Sequence, residues 1–141
     1  YLPGQVKKQI RRVMWERHNY IKTEGSMKAA LEGLEAVRTE MMPKMRLKTD
    51  TRRFNYDWME ALEAEDMLTA LTLEVKFSQY RKESRGAFYR DDYPETDNEN
   101  WLVHVVGRRG SDGEPIIEKQ PVALPYAQPE AKVADFFEAD Y

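Results

Sequence analysis

The run Arg81-Lys82-Glu83-Ser84-Arg85-Gly86-Ala87-Phe88-Tyr89-Arg90-Asp91-Asp92-Tyr93-Pro94 packs four cations, three carboxylates and three aromatics into fourteen residues, punctuated by one Gly and one Pro. It is too charged for a core and too aromatic for a solvated linker. The pattern predicts a loop that docks, because docking needs aromatic anchors and charges that find partners. The candidate docking residues are Glu83, Arg85, Phe88, Tyr89, Arg90, Asp92 and Tyr93, with Trp101 and His104 just beyond the run. Arg85 and Arg90 have two outlets: carboxylates of a surface outside the loop, or Glu83, Asp91 and Asp92 within it. Other chemistry is thin. Glu63 and Glu65 sit two apart on a helical pattern and do not face each other. His18 and His104, without any Cys, make no zinc site. His104 reads as a structural residue in a strand. His18, near the end of the first helix, reads as a surface cation that complements the helix dipole. Gly107, Gly110 and Gly113 lack the strand–helix frame of a dinucleotide fingerprint. No residue is assigned to catalysis, cofactor or metal.

Lys82 to Ala87, Arg90, Asp92 and Pro94 are followed by the acidic stretch Glu95-Thr96-Asp97-Asn98-Glu99 and then by Trp101-Leu102-Val103-His104. This ordered series resembles the C-terminal part of the flavoprotein subunit of succinate dehydrogenases and fumarate reductases. That family carries Lys-Glu-Ser-Arg-Gly-Ala-His-x-Arg-x-Asp-x-Pro after a helical bundle, then an acidic stretch and Trp-x-x-His. Phe88 stands where the family has His, which keeps open the related L-aspartate oxidases and adenylylsulfate reductases. The resemblance is specific over residues 81–104, weaker over 1–80 and 105–126, and has no counterpart after Gln128. It implies a parent flavoenzyme holding FAD, with hydride passing between reduced FAD and fumarate, or in reverse from succinate. In the family the hydride-transfer site and its dicarboxylate-binding residues lie upstream. This region would then brace the FAD-binding and capping domains and offer surface to an iron–sulfur subunit, with no cofactor of its own. The implied location is cytoplasmic, with any membrane association made through partner subunits. A reading from another class is a free-standing three-helix interaction module with no redox role.

The elements that must position the loop are mainly helical. A length of 141 residues suits one domain with a real core. Hydrophobic residues make up 41% and charged residues 33%, and the mean hydropathy is −0.79; most of that charge belongs on helix faces. The net charge of −3 gives no basic footprint for nucleic acid. No run approaches eighteen apolar residues, so no direct membrane insertion is expected. A first residue of Tyr and no signal peptide read as a piece of a longer polypeptide.

Pro3 suits a helix start, and Val6, Ile10, Val13 and Met14 follow at spacings of three and four, predicting a helix over 4–19. Ser26 is read as the cap of a second helix over 27–42, which Pro43 ends or kinks. Asn55 or Asp57 caps a third, over about 57–84, with two apolar stripes that call for packing on both flanking helices, or on a helix and another domain. The Met residues mostly fall on these stripes and fill the core. Strand formers at 101–106, the Asp112-Gly113 turn and residues 115–124 predict a β-hairpin, with Pro121 on an edge or ending the pairing. The fold class is therefore mainly α: a three-helix up-down-up, spectrin-repeat-like bundle (1–85), then an irregular docking loop, a small β-hairpin and a tail (86–141) of the same domain.

Overall fold

The computed structural model describes residues 1–126. The chain divides into two compact units, residues 1–79 and the stretch from Tyr80 onward.

Unit 1 holds α1 (Pro3–Arg17), the short extended β1 (Ile21–Lys22), α2 (Glu24–Ala36) and α3 (Tyr56–Tyr80). Pro3 opens α1, and the Leu2 N–H donates to Gln5 Oε1 at 2.8 Å. The start of α2 differs from expectation. Thr23, not Ser26, is the N-cap: Thr23 Oγ1 accepts from the Ser26 N–H at 3.1 Å, and Ser26 Oγ accepts from the Thr23 N–H at 3.0 Å. Ser26 sits at the third helical position and returns the bond, the job that Glu or Gln performs in a capping box. Past Ala36 the helix widens into a π-helical turn (Val37–Met41) and then tightens into a 3₁₀ turn (Met42–Lys44). Pro43 lies in that last turn and has no N–H with which to continue the α-helical ladder.

Asn55 caps α3. Its Oδ1 accepts from the Trp58 N–H at 3.1 Å, while its Nδ2 donates to the Thr51 carbonyl at 2.6 Å and to the Thr49 carbonyl and hydroxyl at 3.3 Å. One buried amide thus starts the helix and ties down the connection that precedes it. The helix stops at Tyr80, short of the expected 84, because Arg81, Glu83 and Ser84 are drawn into the loop.

The core gathers Val6, Ile10 and Val13 from α1, Met27, Ala30 and Leu34 from α2, Val37 from the π turn, and Ala64, Leu68 and Val75 from α3. The α1 and α2 helices meet closely at Gly33, where an added Cβ would stand 2.8 Å from Val13 Cγ1. The expected stripe that starts at Trp58 is buried at Leu68 and Val75 but left uncovered near the start of α3. Trp58, Met59 and Leu62 are 40%, 53% and 51% exposed.

Unit 2 runs through the loop, with the extended pair β2 (Tyr89–Arg90), to the single-turn α4 (Asn98–Trp101) and the hairpin of β3 (Val103–Arg109) and β4 (Pro115–Pro121). The strands are antiparallel, with Val103 opposite Pro121 and Arg109 opposite Pro115. Pro121 ends the pairing, as its missing N–H requires. Gly113 adopts φ +88°, and the Gly110 N–H donates to the Glu114 carbonyl at 2.7 Å to close the turn. Trp101 lies in α4 rather than in the expected strand, because Asp97 Oδ1 caps that turn by accepting from the Asn100 N–H at 2.9 Å. The acidic tail expected after Gln128 lies outside the described residues.

Candidate functional site

The 81–104 loop is folded around Glu83, which is 1% exposed. A carboxylate this deep must be neutralised and fully hydrogen-bonded. Arg81 pairs with its Oε1. Arg85 grips it with a fork, Nε to Oε1 and Nη2 to Oε2, both 3.0 Å. The backbone N–H of Asp97 completes the set, donating to Oε2 at 2.9 Å. Arg85 Nη2 also donates to Asn98 Oδ1 at 2.8 Å. Arg81 reaches further, donating to the Trp101 carbonyl at 3.0 Å and the Val103 carbonyl at 2.8 Å.

The second knot is Ser84 with Arg90. Ser84 Oγ accepts from the Arg90 N–H at 2.8 Å and donates to the Tyr93 carbonyl at 2.8 Å. The Arg90 side chain is wholly buried. It donates Nε to Asp92 Oδ1 at 2.9 Å, Nη2 to Asp92 Oδ2 at 2.6 Å, and Nη1 to the Arg81 carbonyl at 2.9 Å. Its guanidinium lies 4.7 Å from the centre of the Tyr93 ring. Between the knots, Arg85 and Phe88 exchange backbone hydrogen bonds of 2.8 and 3.0 Å across Gly86, whose φ of +56° is one that glycine adopts without strain.

Of the two outlets open to the arginines, the inward one is taken: Arg85 pairs with Glu83 and Arg90 with Asp92. Trp101, read from the sequence as a docking candidate, is 8% exposed. It meets the Tyr80 ring edge-on at 5.9 Å between centroids, and Lys119 Nζ lies 3.5 Å from its centre. Phe88 and Tyr89 are half-buried and Tyr93 is 39% exposed. His104 is an exposed residue of β3, opposite Gln120.

Several contributors were not among the candidates. Arg81 and Ser84 lie inside the run but have no chemical signature apart from their neighbours. Asp97 with Asn100 is a readable short cap. Lys119 over Trp101 joins positions far apart in sequence and left no signal.

His18 in unit 1 also departs from the sequence reading. It is buried, not a surface cation. Nε2 lies 3.3 Å from Ser78 Oγ and 3.6 Å from Glu74 Oε1, and Nδ1 has no partner among the described residues. Burial, with a smaller contribution from the charge of Lys22, pushes its pKa down to about 4.

Gly110 and Gly113 form a hairpin turn whose amides are spent on the turn itself, and Arg81, Arg85 and Arg90 are each held by a carboxylate. Among the described residues no cluster of His, Asp and Glu could hold a metal ion, and no helix is long and apolar enough to cross a membrane. Within the loop Arg81 and Arg85 share Glu83 and Arg90 pairs with Asp92, ties that fix the backbone carrying Phe88, Tyr89 and Tyr93.

A helical bundle leading into such a loop and hairpin is the fold of the C-terminal region of known flavoprotein reductases. The FrdA chain of E. coli quinol fumarate reductase matches with a TM-score of 0.82 at 23% identity, over 92% of this chain and 22% of that one. An adenosine-5-phosphosulfate reductase matches with a TM-score of 0.74 at 26% identity, over 96% and 20%. The family described as fumarate reductase flavoprotein C-term matches residues 7–134, and the chain belongs to that family. The succinate dehydrogenase flavoprotein subunit of Coxiella burnetii is 35% identical over 74% of this chain and 18% of its own length. The chain thus spans about a fifth of the curated relatives it matches.

Proposed function

We propose that this chain is the supporting C-terminal domain of an FAD-dependent flavoprotein that interconverts fumarate and succinate. In this reading the flavin and the reacting dicarboxylate sit on the upstream body, and this domain braces that body without a reacting group of its own. The observation that carries the reading is the ordered run from Lys82 to His104, folded as one loop around the buried Glu83. Phe88, Tyr89 and Tyr93 would meet the FAD-binding and capping domains, with Glu83, Arg85, Arg90, Asp92 and Trp101 holding them in position and His104 on the outer strand. Assembly with an iron–sulfur subunit, and through it association with a membrane, belongs to the same proposal.

The test is made on the full-length parent, purified and assayed for bound flavin and for fumarate-dependent oxidation of a reduced dye. Flavin with fumarate turnover supports the reading. Flavin without turnover on fumarate favours a relative acting on aspartate or adenylylsulfate, a second reading supported by the likeness to the adenosine-5-phosphosulfate reductase and by Phe88. Absence of flavin would leave a non-enzymatic three-helix interaction module.

A further inference from the structure

We propose that residues 44–62 of unit 1 form a second docking face, distinct from the 81–104 loop, and that its occupant is an acidic-rimmed apolar surface on the upstream body of the same polypeptide. The proposal rests on the reading above, in that it takes such a body to exist.

Three observations carry it. The first is apolar exposure. Phe54 is 85% exposed, Tyr56 76%, Trp58 40%, Met59 53% and Leu62 51%. Five large apolar side chains within nine positions are left in water, although unit 1 has a full core elsewhere, and a concentration of this kind marks an interaction site. The second is that the face is built. Phe54 is the one non-glycine residue with positive φ, at +54°, among the described residues. A bulky side chain is held in that region only when its surroundings enforce it. Here the buried Asn55 amide does so, bonding Thr49 and Thr51 on one side and capping α3 on the other. Arg53 stacks on the Phe54 ring at 5.5 Å, which stiffens the presentation. A ring fixed outward in advance is an anchor that loses little freedom on binding.

The third observation is charge. Lys44, Arg46, Lys48, Arg52 and Arg53 are all exposed, against the carboxylates Asp50, Asp57 and Glu60 in the same stretch; Asp57 lies 4.0 Å from Lys48 and Glu60 3.6 Å from Lys7, so the excess of positive charge is carried by Lys44, Arg46, Arg52 and Arg53. A basic rim around an apolar centre selects an acidic rim on its partner. The partner's source follows from the comparisons and from Tyr1. The curated relatives are about five times longer than the matched stretch, and the family is defined as a C-terminal part. Tyr1 is tied to the root of the basic segment: its N donates to the Lys44 carbonyl and its carbonyl accepts from the Arg46 N–H, both at 2.9 Å. A body attached ahead of Tyr1 is thereby held beside this face at high effective concentration.

The experiment places a photo-crosslinking phenylalanine analogue at position 54 of the full-length parent. The product is mapped by mass spectrometry alongside the flavin and fumarate assays. The expected result is a crosslink to a peptide upstream of this domain, rich in Asp and Glu. Arg52→Glu with Arg53→Glu should lower its yield at least threefold. Crosslinks confined to residues 1–141, crosslinks to a different polypeptide or a second copy, or no crosslink would each overturn the proposal. An undiminished yield in the double charge reversal would overturn the acidic rim. The two readings fail separately: a flavin-bearing, fumarate-reducing parent without the upstream crosslink sinks only this face, and the crosslink in an inactive parent sinks only the activity.

Discussion

Glu83 and His18 are both buried titratable groups, and they make opposite demands. Glu83 stays buried because two guanidiniums and a backbone amide bond its two oxygens. Glu83→Ala removes the shared acceptor and leaves Arg81 and Arg85 facing each other. We expect a loss of about 3 kcal/mol, the low end for breaking a buried pair because both arginines keep some solvent contact. Urea unfolding followed by circular dichroism reads it, and a loss below 1 kcal/mol would contradict the central role of Glu83. His18 is buried neutral. Its folded pKa of about 4 lies below the ordinary histidine value of 6.5, so folding favours the deprotonated ring. That contribution is complete above pH 6.5 and is lost as pH falls from 6.5 to 4, by about 2–3 kcal/mol from this group. Glu74 and Lys22 face the ring with opposite charges. The urea midpoint should therefore fall more between pH 7 and pH 4.5 in the native chain than in His18→Asn, and equal falls would show that other groups set the acid limit. At this scale the sequence was legible where partners are near. Arg85 with Glu83 and Arg90 with Asp92 are neighbours two apart, and both pairs were among the options. The burial of His18 comes from Ser78 and Glu74, more than fifty positions away, and nothing local announces it.

Caps and close approaches decide the elements. Asn55→Ala removes the helix cap and the ties to Thr49 and Thr51 together, and should cost about 1–2 kcal/mol in a thermal or urea melt. Asn55→Asp keeps the cap and loses the donors, so an intermediate loss separates the two jobs. Gly33→Ala tests the α1–α2 contact. Helix propensity alone would favour Ala by about 1 kcal/mol. The 2.8 Å approach to Val13 argues for net destabilisation of about 1–2 kcal/mol instead, since overfilling a packed contact forces a shift. A more stable variant would mean that the helices separate without cost. The three helices and the hairpin were readable because apolar spacing and turn residues are local. Their ends were less so. Thr23 replaced Ser26 as a cap because the sequence pattern weighs the residue beside the first apolar position, whereas the backbone geometry rewards the one three places earlier. The last turn of α3 was lost to side chains that a periodicity argument treats as helical.

For the whole molecule, the balance of covered and uncovered apolar surface is the telling quantity. The 141-residue chain should bind a hydrophobic dye or self-associate through residues 54–62, and Phe54→Asp with Leu62→Glu should reduce either signal at least severalfold with little change in helicity. Gel filtration and dye fluorescence together check it, and a dye-silent monomer would show that the face is covered from within. In unit 2, Arg81 clasps the carbonyls of Trp101 and Val103, and Glu83 holds the amide of Asp97. The exposed residues 91–95 lie between those two shores. A protease that severed the chain there would therefore make two pieces without parting them, and the nicked unit would keep its shape much as a clasped necklace survives one cut thread.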